Sequence, residues 1–238
     1  MRTADRLFDG LTGVYTRLAG LTPLPTGAVT PRVFALRTGT SNFYVYKKGL
    51  DAVAIDAGFG LGAARRALNA LRLGPGDVRA LFLTHSDFDH VGALPLFPAA
   101  ALYLSAGEVP MVRREISRKY GLFFNRPIRR AYTPLEDGEA LDVGGIRVLA
   151  VGTPGHTPGS MSYLLDGAYL FVGDAFRLVD GKVHPIGPPF SMDRREQENS
   201  IRKLARLRGV EYAFTGHRGY TDRFAEAIAA FAGEPFQD

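Results

Sequence analysis

Residues 81–92 read LFLTHSDFDHVG, and between His85 and His90 they place two imidazoles and two carboxylates with only Ser86 and Phe88 as spacers. That density of nitrogen and oxygen donors suits a metal ion better than it suits a solvated turn. The residues before it, Val78 to Leu83, are mostly apolar and follow Asp77, which is the pattern of a buried strand. The donors therefore stand where a strand runs out. In open α/β architectures ligands bind outside the carboxyl ends of strands, so position and composition agree.

Upstream, Arg32 to Leu36, Asn42 to Lys47 and Ala52 to Asp56 read as strands separated by Thr/Gly/Ser or Gly-containing turns. Leu61, Ala64, Leu68 and Leu71 recur at helical spacing until Gly74-Pro75 stops them. Near the start, Leu7, Leu11, Val14, Tyr15 and Leu18 approach helical spacing, although Gly10 and Gly13 allow a first strand from Gly13 instead. Downstream, His90 to Leu96 suggests a short helix, Ala101 to Leu104 a strand, and Glu108 to Lys119 a helix.

In the second half Gly145 to Val151, Ser160 to Leu165, Ala168 to Val172 and Tyr212 to Thr215 read as strands. Asp193 followed by Glu196 marks a helix start whose apolar face is Ile201, Leu204 and Leu207. Phe224, Ile228 and Phe231 give a closing helix. Two blocks of strands, each followed by helices, predict two sheets packed face to face with helices outside. No linker or low-complexity stretch divides the chain, so one domain over 1–238 is expected.

The chain lacks cysteine, which excludes disulfides and thiolate metal sites and leaves histidine and carboxylate as donors. The longest nearly apolar run, Val91 to Leu104, is too short to span a bilayer and contains Pro95 and Pro98. Arg2, Asp5, Arg6 and Asp9 interrupt any apolar leader, so a cytoplasmic protein with no membrane partner is expected. Between Ser105 and Arg130 seven basic side chains face two acidic ones, an excess equal to the net charge of +5 of the whole chain. Such a segment attracts an anionic small molecule, a nucleic acid or a membrane surface.

Histidine occurs five times, at 85, 90, 156, 184 and 217, and four of these fall at a strand end or in the glycine-rich turn after one. Asp174 ends another strand in the same manner. The ordered set THSDFDH at 84–90, GHTPGS at 155–160, FVGD at 171–174 and TGHRG at 215–219, with AVAIDAG at 52–58, resembles the metallo-β-lactamase superfamily of metallohydrolases. Each motif alone is weak, but their order spans nearly the whole chain.

The resemblance implies an α/β chain of the α+β type, folded as a four-layer αββα sandwich of two mixed sheets with helices on the outer faces. It implies a two-metal site in which His85, Asp87 and His156 hold one divalent ion, Asp89, His90 and His217 hold the other, and Asp174 bridges them. Two cations about 3.5 to 4 Å apart deprotonate a shared water and stabilise attacking and leaving oxygens. The implied activity is hydrolysis of an ester, thioester, lactone or phosphodiester by a bridging hydroxide, with Asp89 as a catalytic group receiving or orienting its proton. Asp56 is a candidate to support the ligands by hydrogen bonding.

At position 87 the commonest family motif has histidine and this chain has aspartate. Two divalent ions, three carboxylates and a hydroxide sum to zero charge, whereas histidine at 87 would leave one positive charge. Carboxylate also shifts preference toward harder cations. Zinc is the family habit, and iron or manganese competes with it. An iron-dependent oxidoreductase of the flavodiiron or persulfide dioxygenase kind is therefore the alternative class, and a non-catalytic binding protein on the same fold a third.

A neutral centre leaves attraction for an anionic small-molecule substrate to arginines. Arg113 and Arg114 represent the basic segment at about 105–130, expected to face the substrate. Arg218, beside His217, is a further candidate for a substrate anion, and His184, ten residues after Asp174 in a Gly/Pro-rich loop, is a candidate for lining the cleft. A nucleic-acid partner is disfavoured because the superfamily's nucleases carry extra motifs or domains, and a homodimer is compatible with the sequence.

Overall fold

Alternate residues of a strand point to opposite sides of its sheet, and in this chain both sides of the central strands are apolar. Val33, Ala35, Tyr44, Tyr46, Val53, Ile55, Ala80 and Phe82 face one buried cluster, while their neighbours Leu36, Phe43, Val45, Ala54 and Leu81 face another. Both faces of this sheet must therefore be covered. The computed structural model, which describes residues 20–118, 122–188 and 190–233, shows how.

In chain order the first half contributes β1 (Gly27–Ala28), β2 (Val33–Thr38), β3 (Ser41–Lys48), β4 (Asp51–Ile55), α1 (Leu61–Ala70), β5 (Val78–Phe82), α2 (Phe88–Val91), β6 (Ala101–Ser105), α3 (Val109–Val112) and β7 (Thr133–Leu135). The second half contributes β8 (Ala140–Val143), β9 (Ile146–Gly152), β10 (Met161–Leu165), β11 (Tyr169–Gly173), β12 (Arg177–Val179), β13 (Lys182–His184), α4 (Arg194–Leu204), β14 (Tyr212–Thr215), β15 (Tyr220–Thr221) and α5 (Phe224–Ala227). Strands β1 to β7 form one sheet in sequence order, antiparallel as far as β4 and parallel beyond it. The second sheet has the order β15-β14-β11-β10-β9-β8, with β11 and β14 parallel. Strands β12 and β13 form a separate hairpin.

Between the sheets lie the first group of residues and, from the second sheet, Ile146, Val148, Ala150, Tyr163, Leu165, Phe171 and Phe214. Ala64, Ala67 and Leu68 of α1 cover the outer face of the first sheet. Ile201 and Leu204 of α4 and Phe224 and Ala227 of α5 cover the outer face of the second. The result is the expected four-layer αββα arrangement of two mixed sheets. Two phenols cross the sandwich to hold its edges in register. Tyr163 donates to the Leu83 carbonyl at 2.8 Å and Tyr44 donates to the Thr215 carbonyl at 2.7 Å.

Three local expectations change. The helix expected from Glu108 to Lys119 is the single turn α3, preceded by a 3-10 turn over Ala106–Glu108. Arg114 adopts φ +64°, in the left-handed region, and the amides of Glu115 and Ile116 turn back onto the Pro110 carbonyl, which closes the helix. The helix expected from His90 to Leu96 is split into α2 and a 3-10 turn at Leu94–Leu96, where Pro95 has no amide hydrogen to donate. The closing helix is one α turn followed by a 3-10 turn at Ala229–Phe231. Asp193 caps α4 as expected, accepting from the Glu196 amide at 2.9 Å. The apolar residues between Leu7 and Leu18 lie outside the described residues.

Candidate metal centre

Parallel pairing of β4 with β5 sets Ile55 beside Phe82, so the residues following both strands emerge together at one edge of the sheet. Asp56 comes first from β4. Its φ of +63° is one that few non-glycine residues adopt, and its buried carboxylate holds the turn. One oxygen accepts from the Thr84 amide at 2.8 Å, and the other from Thr84 Oγ1 and His90 Nδ1, each at 2.8 Å. The LFLTHSDFDHVG loop is thus folded onto the strand beside it. Ala57 N donates to the His90 carbonyl and Ser41 Oγ to the Asp89 carbonyl, at 2.7 and 2.8 Å, which fixes α2. A Cβ at Gly92 would lie 1.8 Å from the Phe59 carbonyl oxygen, so the motif needs glycine at its end.

The other sheet supplies the remaining donors. His156 lies between β9 and β10, Asp174 directly follows β11, and His217 follows β14 by two residues. Gly216 N donates to the Gly173 carbonyl and Asn42 N to the Gly216 carbonyl, both at 2.8 Å, joining the last loop to both sheets. A Cβ at Gly216 would come within 2.6 Å of Asp174 Oδ1 and 2.8 Å of His90 Cε1. Close approach of this backbone is thus part of the centre.

All seven expected donors are gathered. Three overlapping groups, His85 with Asp87 and His156, His85 with His90 and Asp174, and Asp89 with His90 and His217, each have ligand atoms within 4.8 Å of one another. Asp174 Oδ2 lies 3.4 Å from His156 Nε2 and 3.2 Å from His217 Nε2, between the two outer groups. Asp87 Oδ2 lies 3.3 Å from His156 Nε2 and 3.6 Å from His85 Nε2, and Asp89 Oδ2 lies 3.4 Å from His217 Nε2.

In three of the four histidines the other ring nitrogen is engaged by the protein, whereas His156 Nδ1 is buried with no hydrogen-bond partner among the described residues. His85 Nδ1 meets Thr84 Oγ1 at 3.0 Å, His90 Nδ1 meets Asp56 Oδ2, and His217 Nδ1 meets the Thr40 carbonyl at 2.8 Å. Such contacts fix ring orientation and tautomer, turning each Nε2 inward. His85 Nε2 is buried and has no hydrogen-bond partner among the described residues. A buried nitrogen left without a partner is costly unless something binds it, and a divalent cation fits this nitrogen and carboxylate set.

Electrostatics point the same way. Burial raises the pKa of Asp174, but the charges of His217, His90 and His156 outweigh it and hold the carboxyl well below its usual range. Burial also raises Asp87, and hydrogen bonds with His156 and His85 reverse that. Burial lowers His90, yet Asp56, Asp174 and Asp89 push it up to about 10. His217 is likewise lowered by burial and raised by Asp174 to about 9. Asp87 and Asp174 are thus favoured in the ionised form by the imidazoles around them.

Arg118 was not singled out in the sequence. Its Nε donates to Asp87 Oδ2 at 3.0 Å, one terminal nitrogen to the His156 carbonyl at 2.8 Å, and the other to the Phe190 carbonyl at 2.5 Å. Glu108 is also new. Fully buried, it accepts from Ser86 N at 2.8 Å, Ser86 Oγ at 2.6 Å and Thr157 Oγ1 at 2.7 Å, tying the two loops that carry His85 and His156. Asn125 donates to Ser86 Oγ at 2.6 Å and Asp87 Oδ1 at 3.2 Å. The basic composition of 105–130 was the only sequence signal for Arg118, and nothing separated it from its neighbours.

Above the donors opens a cavity of about 590 Å³. Arg118 and Arg218 line it, together with Arg177 and several phenylalanines. Arg113 and Arg114 do not; both are exposed, and the Arg114 guanidinium sits 5.3 Å from the centre of the Phe124 ring. His184 is exposed on β13 and is also absent from the lining.

Together the αββα layers and an edge site of four histidines and three aspartates define a metallohydrolase type of fold. The sequence profile of the metallo-beta-lactamase superfamily matches residues 36–217, and the chain belongs to that superfamily. It is 34% identical over 131 residues to a probable metallo-hydrolase of Mycobacterium tuberculosis, covering 48% of this chain and 42% of the relative. It is 32% identical over 127 residues to the probable polyketide biosynthesis zinc-dependent hydrolase BaeB of Bacillus velezensis, covering 52% and 49%. The chain thus spans less than half of each of these two relatives. A metallo-beta-lactamase family protein from Thermus thermophilus superposes with a TM-score of 0.67 at 25% identity, covering 85% of this chain and 79% of that one. Among the described residues no helix is long and apolar enough to cross a membrane.

Proposed function

We propose that the chain is a metal-dependent hydrolase of an ester, thioester, lactone or phosphodiester, with two divalent ions held by the seven clustered donors. His85, Asp87 and His156 would hold one ion, Asp89, His90 and His217 the other, with Asp174 between them. The observation that carries this reading is the convergence of these side chains from four loops, with the outward ring nitrogens of His85, His90 and His217 engaged by the protein. Bound there, divalent ions supply Lewis acidity, acidifying water and stabilising charge on attacking and departing oxygens.

The chain's own groups do the rest. Asp89, at the mouth of the His90 and His217 group, accepts or orients the proton lost by the attacking water. Arg118 balances the extra carboxylate at Asp87, so the centre has the net charge that a histidine at 87 would have given. The phenylalanines of the cavity exclude bulk water and strengthen the electrostatics within.

Zinc is favoured by the zinc-dependent name of one relative, and iron or manganese by the oxygen donor at Asp87. Elemental analysis of protein purified without added metal, paired with turnover of ester, thioester, lactone and phosphodiester probes, tests the proposal. Two ions per chain and hydrolysis of one probe class are expected, and both are lost in Asp174→Ala and His90→Ala. Full activity in either variant would overturn the assignment, and iron with oxygen consumption would replace hydrolysis by redox chemistry.

A further inference from the structure

The cavity has two kinds of lining besides the metal donors. Phe59, Phe88, Phe176, Ile186 and Phe190 form apolar walls, and the Phe59 and Phe88 rings meet edge to face at 5.0 Å. Phe88 is 58% exposed and Phe190 54% exposed, an unusual state for phenylalanine at the rim of a polar centre. The second lining is cationic. Arg177, from β12, and Arg218, one residue beyond His217, enter the same cavity.

Arg118 is committed to Asp87 and two carbonyls, whereas Arg177 Nε is shielded from solvent and lacks a hydrogen-bond partner among the described residues. Both arginines line this one cavity. Like charges sharing a partly desolvated cavity are stabilised by an anion between them, and guanidinium geometry matches the paired oxygens of carboxylate and phosphate.

We propose that Arg177 and Arg218 form an oxyanion-binding pole of the cavity, and that the substrate is amphipathic, its apolar part on the phenylalanine walls and its carboxylate or phosphate on these two arginines. The proposal rests on the hydrolase reading for the word substrate. The binding pole itself is a property of the cavity. It also relocates the anion attraction expected of Arg113 and Arg114 to two arginines from the second half of the chain.

Calorimetric titration of the metal-loaded full chain with octanoate, octyl phosphate, octanol and inorganic phosphate tests it. At least one of the two amphipathic anions should bind about tenfold or more tightly than octanol and than inorganic phosphate; the preferred one identifies the oxyanion. That affinity should fall about tenfold in Arg177→Met and in Arg218→Met, recover partly in Arg177→Lys and Arg218→Lys, and stay unchanged in Arg113→Met. Elemental analysis of each variant should show undiminished metal, which separates loss of the pole from loss of the centre. Octanol binding as well as the anions, or undiminished affinity in both methionine variants, would overturn the proposal. Arginine-dependent binding without hydrolysis of any probe would leave the pole standing and remove the hydrolase reading, whereas hydrolysis without arginine-dependent binding would do the reverse.

Discussion

Arg118 donates its Nε hydrogen to Asp87 Oδ2 at 3.0 Å, so the carboxylate that distinguishes this centre from the commoner family motif has a cation beside it. The same guanidinium reaches the carbonyls of His156 and Phe190, which sets it against the loop of a second donor. A charge so near a cation site opposes metal binding, while its hydrogen bonds organise the ligands.

Coulomb repulsion at this range is worth on the order of 1 kcal/mol or more in a partly screened site. Arg118→Met should therefore bind divalent metal roughly tenfold more tightly in a competition with a chromogenic chelator. Its turnover should drop as Asp87 loses its orientation. Weaker metal binding would mean that Arg118 acts chiefly by holding the His156 loop.

Gly216 gives a test at the opposite side of the centre. A methyl group there would meet Asp174 Oδ1 and His90 Cε1 at 2.6 and 2.8 Å, so Gly216→Ala must displace one of them. Metal content should fall below half of wild type, with the circular dichroism spectrum unchanged. Normal loading would show that the last loop moves freely enough to absorb a methyl group.

Removal of the Glu108 carboxylate strands the Ser86 amide and hydroxyl hydrogens in a fully buried position and leaves the Thr157 hydroxyl only Ser160 Oγ, at 2.8 Å. Unsatisfied buried donors cost about 1 to 3 kcal/mol each, with partial relief from rearrangement. Urea denaturation of Glu108→Ala should show a loss of roughly 3 kcal/mol, and Glu108→Gln, which keeps one acceptor, a smaller one. Equal losses in the two variants would point to packing instead of hydrogen bonding.

Asp166 sets a pH dependence away from the metal centre. In the turn between β10 and β11, it accepts from Lys48 Nζ at 3.0 Å, Tyr46 Oη at 2.8 Å and Arg32 at 3.2 Å, linking the two sheets. Burial raises its pKa, but hydrogen bonds from Lys48 and Tyr46 outweigh it and the folded value lies below the ordinary one. The stabilisation is therefore complete above the unfolded value, about 3.9, and disappears as pH falls through the folded value. Asp166→Asn should be less stable than wild type at pH 7, and the gap should close toward pH 2. A constant gap in denaturation curves across that range would remove Asp166 as the cause.

Much of the fold was legible because its signals are local. Short apolar runs bounded by turn residues marked β2 to β6, β9 to β11 and β14, and the Asp193 cap marked α4. The elements that escaped are short or lack a pattern. Thr133–Leu135, Ala140–Val143 and the β12–β13 hairpin have three or four residues each, and are held by neighbouring strands and not by propensity. The basic segment misled for a related reason. Its composition favours a helix, but Arg114 in the left-handed region ends it after one turn.

For the centre, the sequence by itself determined the donor types, because a chain without cysteine that spends four of five histidines and three aspartates at strand ends leaves few other uses for them. Beyond Arg218 and Asp56, which the sequence offered as candidates, tertiary structure alone decided which arginines face the cavity and which residues hold the donors in place. Arg118, Arg177 and Glu108 act across sequence gaps of 22 to 72 residues or through a shared cavity. Such contacts depend on strand register and loop closure, where a shift of one residue turns a side chain to the other face of the sheet. Donor chemistry is written in residue identity, and the charge around it in three-dimensional packing.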